Sequence, residues 1–600
     1  MKLRWLRIRG FKSVRELTLD IDDFLCFVGQ NNHGKSNVFY ALELFFSPYQ
    51  SAIRKLNREM FYKGPAESAN EIIIECRFEQ LSDVEIEKLR DWVIDGTLTI
   101  SKRYWIDEDN KPHITYYALI RVPKEEWLRK NYGNYNNREI VSKLPIAKFL
   151  PKTGRISREA YNNAIEEFLQ KYSNEIEWIE ELEEIPRQVI DRLLPEFYLV
   201  PAVRDITEET KTTGHSLLSR VLSVIIKRIA EQNPAFHRLQ KTVQEIKTVI
   251  EGKTPDEKLE EIRELEEKLT QELKHWNVGL SIHVEAPDIE KLFQLGTTIV
   301  LDDGIPTSVS EKGHGLQRAL LFALLRVWAA ELKRMQAEGA SDIRERSHIF
   351  AFEEPELFLH PQVARLTYES LKEISQTDQI FICTHSPHFI NIEDYRHIVI
   401  IKKPDLETGT KAHRVQNELF EGDSDKKRRF NMIQFFNPDR NELFFARKVV
   451  LVEGPTEKAV LPLLGRRIGC FDHSVSIIDC GGKFNLTLYI TVLNAFRIPY
   501  LVIHDEDPID PELQPGGSRY NPDKLKQAVR TYQENERIKE VVDPEIGEII
   551  VVEGEFEDLL GVSRSQAEKL GKPLAAVEKY SNEDVKIPED LKKIVIKVYE

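Results

Sequence analysis

Four acidic residues late in the chain and one glycine-bounded lysine near its start carry the chemistry this sequence can perform. Glu453 and Glu457 lie in Val449-Val450-Leu451-Val452-Glu453-Gly454-Pro455-Thr456-Glu457. An apolar strand delivers the first to a turn, and a spacing of four at a helix start brings the second near the same point. Asp505 and Asp507 close another apolar run, Pro499-Tyr500-Leu501-Val502-Ile503-His504-Asp505-Glu506-Asp507. Carboxylate oxygens are hard ligands, so this set suits Mg²⁺ or Mn²⁺. Near the start, Gly29-Gln30-Asn31-Asn32-His33-Gly34-Lys35-Ser36 follows the apolar run Phe24–Val28 and precedes an amphipathic one. Gly29 and Gly34 permit a tight turn with inward N–H groups, and the helix opening at Lys35 aims its positive end at the same spot. Lys35 can reach the β- and γ-phosphates of a nucleotide such as ATP, and Ser36 can hold its Mg²⁺.

Other segments complete a nucleotide site. Ser310-Glu311-Lys312-Gly313-His314-Gly315-Leu316-Gln317-Arg318 enters a long apolar helix and resembles the signature motif of ATP-binding-cassette ATPases. In that family a serine and glycines at a helix start grip the γ-phosphate bound by the other protomer. Ile349-Phe350-Ala351-Phe352-Glu353-Glu354-Pro355-Glu356 is an apolar strand ending in carboxylates, as a Walker B does. Glu353 would orient Mg²⁺ through water and Glu354 would activate the attacking water. Where that pattern usually has Asp, this chain has Glu353. Phe381-Ile382-Cys383-Thr384-His385-Ser386-Pro387 ends a strand in His385, which resembles the switch histidine that contacts the γ-phosphate. The nucleotide-binding candidates are therefore Gly29, Asn32, Gly34, Lys35, Ser36, Ser310, Gly313, Gly315, Gln317 and Glu353, with Glu354 and His385 acting in hydrolysis.

These residues require particular elements to position them. Alternating apolar and polar residues predict strands over Leu3–Ile8, Leu17–Ile21, 71–79, 97–106 and 113–121. A turn-like basic patch, Arg9-Gly10-Phe11-Lys12-Ser13, separates the first pair. Residues 122–196 read as mostly helical, and Phe197–Asp205 as a strand ending in a charged pair. Over 206–280 the spacing of Leu239, Val243, Ile246 and Ile250, and of Leu259, Ile262, Leu265, Leu269 and Leu273, predicts an αα-hairpin serving as a dimerisation arm. Strand–helix alternation returns over 294–403, and a polar stretch with the basic cluster Lys426-Lys427-Arg428-Arg429 reads as a linker. After Arg447 the order strand, helix, strand, Gly481-Gly482 turn, helix, strand predicts a parallel sheet with its carboxyl ends on one edge, where Glu453, Asp505 and Asp507 converge.

The predicted class is α/β. Residues 1–205 and 281–405 form an ATPase interrupted by a helical insertion over 206–280; 406–446 is a linker and 447–600 a second α/β domain. The 600 residues fit several domains, and a hydrophobic share of 41% is ordinary for a globular protein. A formal charge of −15 argues against a simple basic coat protein for nucleic acid, though metal-holding carboxylates contribute to that sum. The five cysteines, Cys26, Cys76, Cys383, Cys470 and Cys480, form no CxxC pair, which fits a reducing cytoplasm and not a cysteine metal site. No apolar run approaches the length of a membrane span, and Met1–Phe11 reads as a strand and not as a leader peptide.

Glu-Gly-x-x-Glu, a Gly-Gly turn and Asp-x-Asp, in that order, resemble a Toprim domain, the metal-binding fold of topoisomerases, primases and some nucleases. The long separation of Lys35 from Glu354 resembles the SMC-like branch of cassette ATPases. An ATPase of that branch followed by a Toprim domain resembles the OLD (overcoming lysogenization defect) family of nucleases, including Leu359-His360-Pro361 after the Walker B and the Pro-Ala-x-Arg-Asp strand end at Pro201. The resemblance implies ATP-regulated cleavage of double-stranded DNA with two divalent metals. On this chain it implies Glu453, Glu457, Asp505 and Asp507 as ligands, Glu555 or Glu557 completing the second metal position, and Lys572 steadying charge on the scissile phosphate. It further implies a homodimer or tetramer, a role in anti-phage defence or DNA repair, and, if the chain is of the Gabija type, a helicase partner. A topoisomerase- or primase-like enzyme would use the same carboxylates, and a non-cleaving repair ATPase would bind DNA without them.

Overall fold

A computed structural model describes residues 1–65, 68–151, 153–172, 175–202, 233–251, 259–273, 280–282, 299–337, 347–357, 359–390, 392–420, 438–562 and 568–600. The basic cluster Lys426–Arg429 and the pair Arg204-Asp205 lie outside them. The chain forms two compact units. One comprises 1–200, 345–355 and 378–600, the other 201–344 and 356–377.

Among its described residues the first unit contains three sheets. An antiparallel sheet runs in the order Val14–Asp20, Lys2–Phe11, Glu71–Glu79, Thr97–Ile106, Pro112–Pro123, Trp178–Glu184, with Val93–Ile94 pairing Thr97–Ile106. A second sheet runs Lys411–Arg414, Ile398–Lys402, Phe24–Val28, Gln379–Cys383, His348–Glu353, Glu196–Val200. All its pairs are parallel except that between Lys411–Arg414 and Ile398–Lys402. Its central strands are covered on both faces, which is why they read as unbroken apolar runs: every residue of Phe24–Val28, His348–Glu353 and Gln379–Cys383 is buried. The helix Lys35–Phe46 buries Val38, Phe39, Ala41, Leu42, Leu44 and Phe45 in the core that also holds Leu25, Phe27 and Phe381.

The third sheet is parallel, in the order Val475–Asp479, Lys448–Val452, Tyr500–Asp505, Gly547–Val552. Its own core joins Val450, Val452, Leu501 and Ile503 to Leu461 and Leu464 of the helix Pro455–Ile468, and to Leu591, Val595 and Val598 of the helix Glu589–Tyr599.

Two expectations change. Trp178–Glu184 lies in the stretch read as helical, yet it is the outer strand of the antiparallel sheet. Its glutamates make it look like a solvated helix, but an edge strand keeps charge on its exposed side. Lys411–Arg414 lies in the stretch read as a linker, yet it is the edge strand of the ATPase sheet.

The second unit contains an antiparallel pair, Val300–Asp302 with Pro306–Ser308, and a helix, His314–Ala337, that packs on another, Pro361–Ile374. Its helices Pro234–Glu251 and Glu260–Glu272 carry the described part of the predicted hairpin. Among the described residues no helix is long and apolar enough to cross a membrane.

Candidate functional site

Parallel register brings the nucleotide candidates of the first unit to one edge. Ile382 pairs with Cys26 and Glu353 with Cys383, so Gly29, Glu354 and His385 each follow the carboxyl end of an adjacent strand. Gly34 caps the helix Lys35–Phe46 at φ 93°, with no side chain capping the first turn. That leaves the helix N-terminus facing the loop, as anion binding requires. A Cβ at Gly34 would stand 2.4 Å from both Ser13 Oγ and Thr410 Oγ1, so no other residue fits there.

The crowding at Gly34 comes from a hydroxyl knot. Ser13 Oγ and Thr410 Oγ1 share a hydrogen bond of 2.7 Å, Asn37 Nδ2 donates to Ser13 Oγ at 2.7 Å, and Thr410 Oγ1 donates to the His33 carbonyl at 2.8 Å. The phosphate loop is thus fastened to two distant turns. Beside them Arg9, Arg15, Glu16, Tyr62, Glu71 and Lys411 line a cavity of about 560 Å³. Its mixed charges select no ligand by sign. Asn32 sits within the loop at φ 64°. Lys35 is buried and donates to the carbonyls of Gly29 at 2.8 Å and Gln30 at 2.9 Å. Ser36 follows on the first helical turn.

Glu353 is buried, and its Oε1 finds no hydrogen-bond partner among the described residues, while its Oε2 accepts from Tyr40 OH at 3.4 Å. A buried carboxylate oxygen in that condition fits a site that receives a hydrated cation. Glu354 adopts the left-handed backbone at φ 44°, its amide donates to the Cys383 carbonyl at 2.7 Å, and its Oε1 stands 3.9 Å from His385 Nε2. Burial, aided by the charge of Lys35, pulls the His385 imidazole down to about 4, so the ring is neutral at pH 7.

Ser310, Gly313, Gly315 and Gln317 belong to the second unit. Ser310 Oγ bonds Ser308 Oγ at 2.8 Å. Gln317 is buried and its Nε2 donates to the carbonyls of Val309 at 3.0 Å and Lys312 at 2.8 Å, so its amide shapes the turn that presents Ser310 and Gly313. Gly315 lies in the first turn of His314–Ala337.

The third sheet gathers a second group. Glu453 Oε1 accepts from the Asp505 amide at 2.8 Å, and the Glu453 carbonyl accepts from the Gly482 amide at 2.7 Å. Asp505 Oδ1 accepts from the Phe556 amide at 2.9 Å. Glu457 is buried on the first turn of Pro455–Ile468, whose N-terminus favours its charge. Asp507 takes the left-handed backbone at φ 49°. Burial first, then Glu453 and Glu457, push the Asp505 carboxyl up to about 8. Burial, then Glu557 and Glu453, push Glu457 up to about 7. Burial also raises Glu453, against the opposing pull of the Asp505 amide and Lys483. Acids held this close together and this dry ionise fully only beside a cation, so the donor set fits hard divalent metals.

In this arrangement protein cations hold several of the acids. Lys572 Nζ lies 3.2 Å from Glu557 and 3.6 Å from Glu555, and Thr456 Oγ1 donates to Glu557 at 3.3 Å. Lys483 Nζ donates to Asp507 Oδ2 at 2.9 Å. Among the described residues no three His, Cys, Asp or Glu side chains are gathered into a ready-made cage. Sequence reasoning passed over Lys483, Thr456 and Asp479, whose Oδ1 accepts from the Gly481 amide at 2.7 Å. The signal for Lys483 was its place directly after the Gly-Gly turn. The 3₁₀ segment Pro438–Phe444 was also missed. Its Asn441 Nδ2 donates to the carbonyls of Pro387 at 3.1 Å and Ile390 at 2.9 Å, just past His385. Its Arg440 Nη1 donates to Tyr489 OH at 3.2 Å, and Nη2 lies 3.2 Å from where a Cβ would stand at Gly481.

These centres define a class: an ATPase with a phosphate loop on a mainly parallel sheet, followed by a Toprim domain. Residues 1–390 match the family described as AAA ATPase domain, and 444–507 match the Toprim domain of overcoming lysogenization defect protein-like proteins. The chain belongs to that ATPase family and, with the Toprim domain joined to it, is an OLD family nuclease. It is similar to the Old nuclease of Escherichia phage P2, with 22% identity over 84% of this chain and 77% of the phage protein. It is 30% identical to the OLD nuclease of Thermus scotoductus over 47% of this chain and 50% of that protein. It is 21% identical to the endonuclease GajA of Bacillus cereus strain VD045 over 84% of this chain and 75% of that protein. The protein is therefore an enzyme, a nuclease with an ATPase domain, and domains of these kinds use ATP and divalent metal.

Proposed function

We propose that this protein is a divalent-metal-dependent endonuclease of double-stranded DNA whose cutting is controlled by ATP. In this reading Gly29, Asn32, Gly34, Lys35 and Ser36 take the phosphates. Glu353 faces the nucleotide's Mg²⁺, Glu354 and neutral His385 face the attacking water and γ-phosphate, and Ser310, Gly313 and Gly315 come from a second copy of the chain. The ATPase occupies 1–205 and 281–414, with Lys411–Arg414 as its edge strand, the dimerisation arm 206–280, and the Toprim nuclease 447–600. Action in the cytoplasm, in defence against phage or in repair, completes the reading.

The observation that carries it is the acidic edge of the third sheet. Glu453 accepts from the Asp505 amide there at 2.8 Å, Glu457 is buried on the adjoining turn, and burial, then the neighbouring acids, hold Asp505 up to about 8. Glu453, Glu457, Asp505 and Asp507 would hold Mg²⁺ or Mn²⁺. Glu557 is favoured over Glu555 for the remaining position, because its side chain is 19% exposed against 61% and its charge acts on both Glu453 and Glu457. Such ions supply positive charge to the scissile phosphate and acidify water. Thr456 orients Glu557, and Lys572 aims an ammonium at charge developing on the phosphate. Control by ATP is supported by Pro438–Phe444, which bonds the turn after His385 through Asn441 and lies against Gly481 through Arg440. The test is nicking of supercoiled plasmid with Mg²⁺ or Mn²⁺, with and without ATP. Wild-type nicking that is lost in Asp505→Ala supports the reading; nicking retained by that variant overturns the site.

A further inference from the structure

The nuclease centre contains a cation that needs a reason. Lys483 is 4% exposed, at the start of the 3₁₀ turn Lys483–Asn485 that follows Gly481-Gly482. Its backbone is fixed on both sides. The Gly482 amide donates to the Glu453 carbonyl at 2.7 Å, and Asn485 Nδ2 donates to the carbonyls of Cys480 at 2.8 Å and Gly481 at 3.1 Å. From that anchored turn Nζ reaches the Asp505 carbonyl at 2.5 Å and Asp507 Oδ2 at 2.9 Å. A buried ammonium is costly unless it is paired and hydrogen-bonded, and here its partners are the two ends of the Asp-x-Asp stretch. It therefore occupies, with one positive charge, a carboxylate oxygen that the reading above gives to a metal.

We propose that Lys483 is the counter-ion of the ion-free nuclease centre, and that its ammonium leaves Asp507 when a divalent cation binds. The proposal rests on the assignment of the acidic edge as a divalent-metal site. It accounts for an arrangement in which, among the described residues, no three acids are gathered although several line one edge. Without a metal, Glu453, Glu457, Asp505 and Asp507 repel one another, and Lys483 offsets part of that repulsion and holds Asp507 in its left-handed backbone at φ 49°. With a metal, the same ammonium becomes a like charge in contact range. Lys483 thus stabilises the empty centre and weakens metal binding, so that loading is an exchange of one cation for another. Lys572 differs, because its side chain is 51% exposed and can turn to solvent, whereas that of Lys483 is 3% exposed and can only be displaced within the site.

The test is calorimetric titration of MnCl₂ into the full-length protein without DNA, for wild type and Lys483→Met, which keeps length and removes charge. One neighbouring charge commonly moves an equilibrium by about tenfold or more, so Lys483→Met is expected to bind Mn²⁺ about tenfold more tightly and to melt at a lower temperature when ion-free. Damage to the fold would weaken binding, so tighter binding is a signature that a merely structural lysine does not give. Equal or weaker binding by a folded variant overturns the proposal and leaves the metal site standing. Should Lys483→Met not fold, Mn²⁺-soaked crystals of the wild type decide it: metal at the acidic edge with Lys483 parted from Asp507 supports the exchange, and metal there with the 2.9 Å bond intact overturns it. Wild-type protein that takes up no Mn²⁺ at millimolar concentration, with or without DNA, overturns both this proposal and the metal site beneath it.

Discussion

The phosphate loop and the acidic edge occupy equivalent places, each at the carboxyl ends of parallel strands with a helix N-terminus beside it, and they have opposite polarity. At the loop the strand Phe24–Val28 runs into glycines and Lys35, so the site presents N–H groups and an ammonium to an anion. At the edge the strands Lys448–Val452 and Tyr500–Asp505 run into Glu453, Asp505 and Asp507, so the site presents acceptors to a cation. Both contain a lysine bonded inward. Lys35 lies on backbone carbonyls of its own loop, whereas Lys483 lies on an acid that, in the proposed site, a metal would have to win from it. A sheet edge of this kind thus sets where chemistry occurs, and the first few residues past each strand set which charge it accepts.

If the centres are separable in this way, removing one should spare binding at the other. The largest effects are expected from Asp505→Ala and Lys35→Ala. The first should lower plasmid nicking by about 100-fold or more while leaving fluorescent-ATP binding intact, and the second should abolish that binding while leaving Mn²⁺ binding intact. Loss of Mn²⁺ binding in Lys35→Ala would mean that the centres fold as one unit. Next, Glu354→Gln should lower steady-state ATP hydrolysis by about 100-fold while ATP remains bound. An intermediate effect is expected at the segment that joins the centres. Asn441→Ala removes the donor to the Pro387 and Ile390 carbonyls and should bring the ratio of nicking with and without ATP towards one. Nicking without ATP should change less than about threefold, and an unaltered ratio would exclude this segment as the route of control.

The parts of this arrangement that could be read from sequence are those where one strand declares itself. Phe24–Val28, Ile349–Phe352 and Val449–Val452 are buried and stay apolar throughout, so the residue that ends each run, Gly29, Glu353 or Glu453, stands out. Contacts between distant turns leave no such trace. Thr410 and Ser13 are ordinary polar residues until the fold sets them 2.7 Å apart behind Gly34. Lys483 reads as a surface lysine until Gly481-Gly482 turns it inward, and Asn441 reads as linker polarity until it caps the turn after His385. Edge strands mislead for a related reason: Trp178–Glu184 is glutamate-rich because half its face meets water, and it therefore resembles a helix.

The smallest expected effect concerns a third inward lysine, which supports the nucleotide centre alone. Lys102 is 1% exposed and donates to the Phe45 carbonyl at 2.7 Å, at the far end of the phosphate-loop helix. Its ammonium lies 4.3 Å from the centre of the Tyr116 ring and 3.4 Å from Asp191. Burial outweighs the pull of Asp191 and draws the group down from 10.5 to about 8. Because the folded group gives up its proton before the unfolded one does, the unfolded chain binds the extra proton between pH 8 and pH 10.5, and stability rises with pH across that window. Below pH 8 the full penalty, about 3 kcal/mol, is present. Burial also shifts the neighbouring Cys76, Tyr104 and Tyr116 upward, and these opposing contributions are common to wild type and a Lys102 variant and cancel in the difference between them. The difference in melting temperature between wild type and Lys102→Met should therefore move in favour of wild type by about 1–3 °C from pH 7.5 to pH 9.5. Mn²⁺ affinity at the acidic edge should show no matching difference between the two proteins over that range. A melting difference that stays flat would mean that Lys102 keeps its proton in the folded protein across this range, as the unfolded chain does, whereas a slope already full at pH 7.5 would mean that the phosphate-loop helix ends on a neutral amine instead of a buried cation.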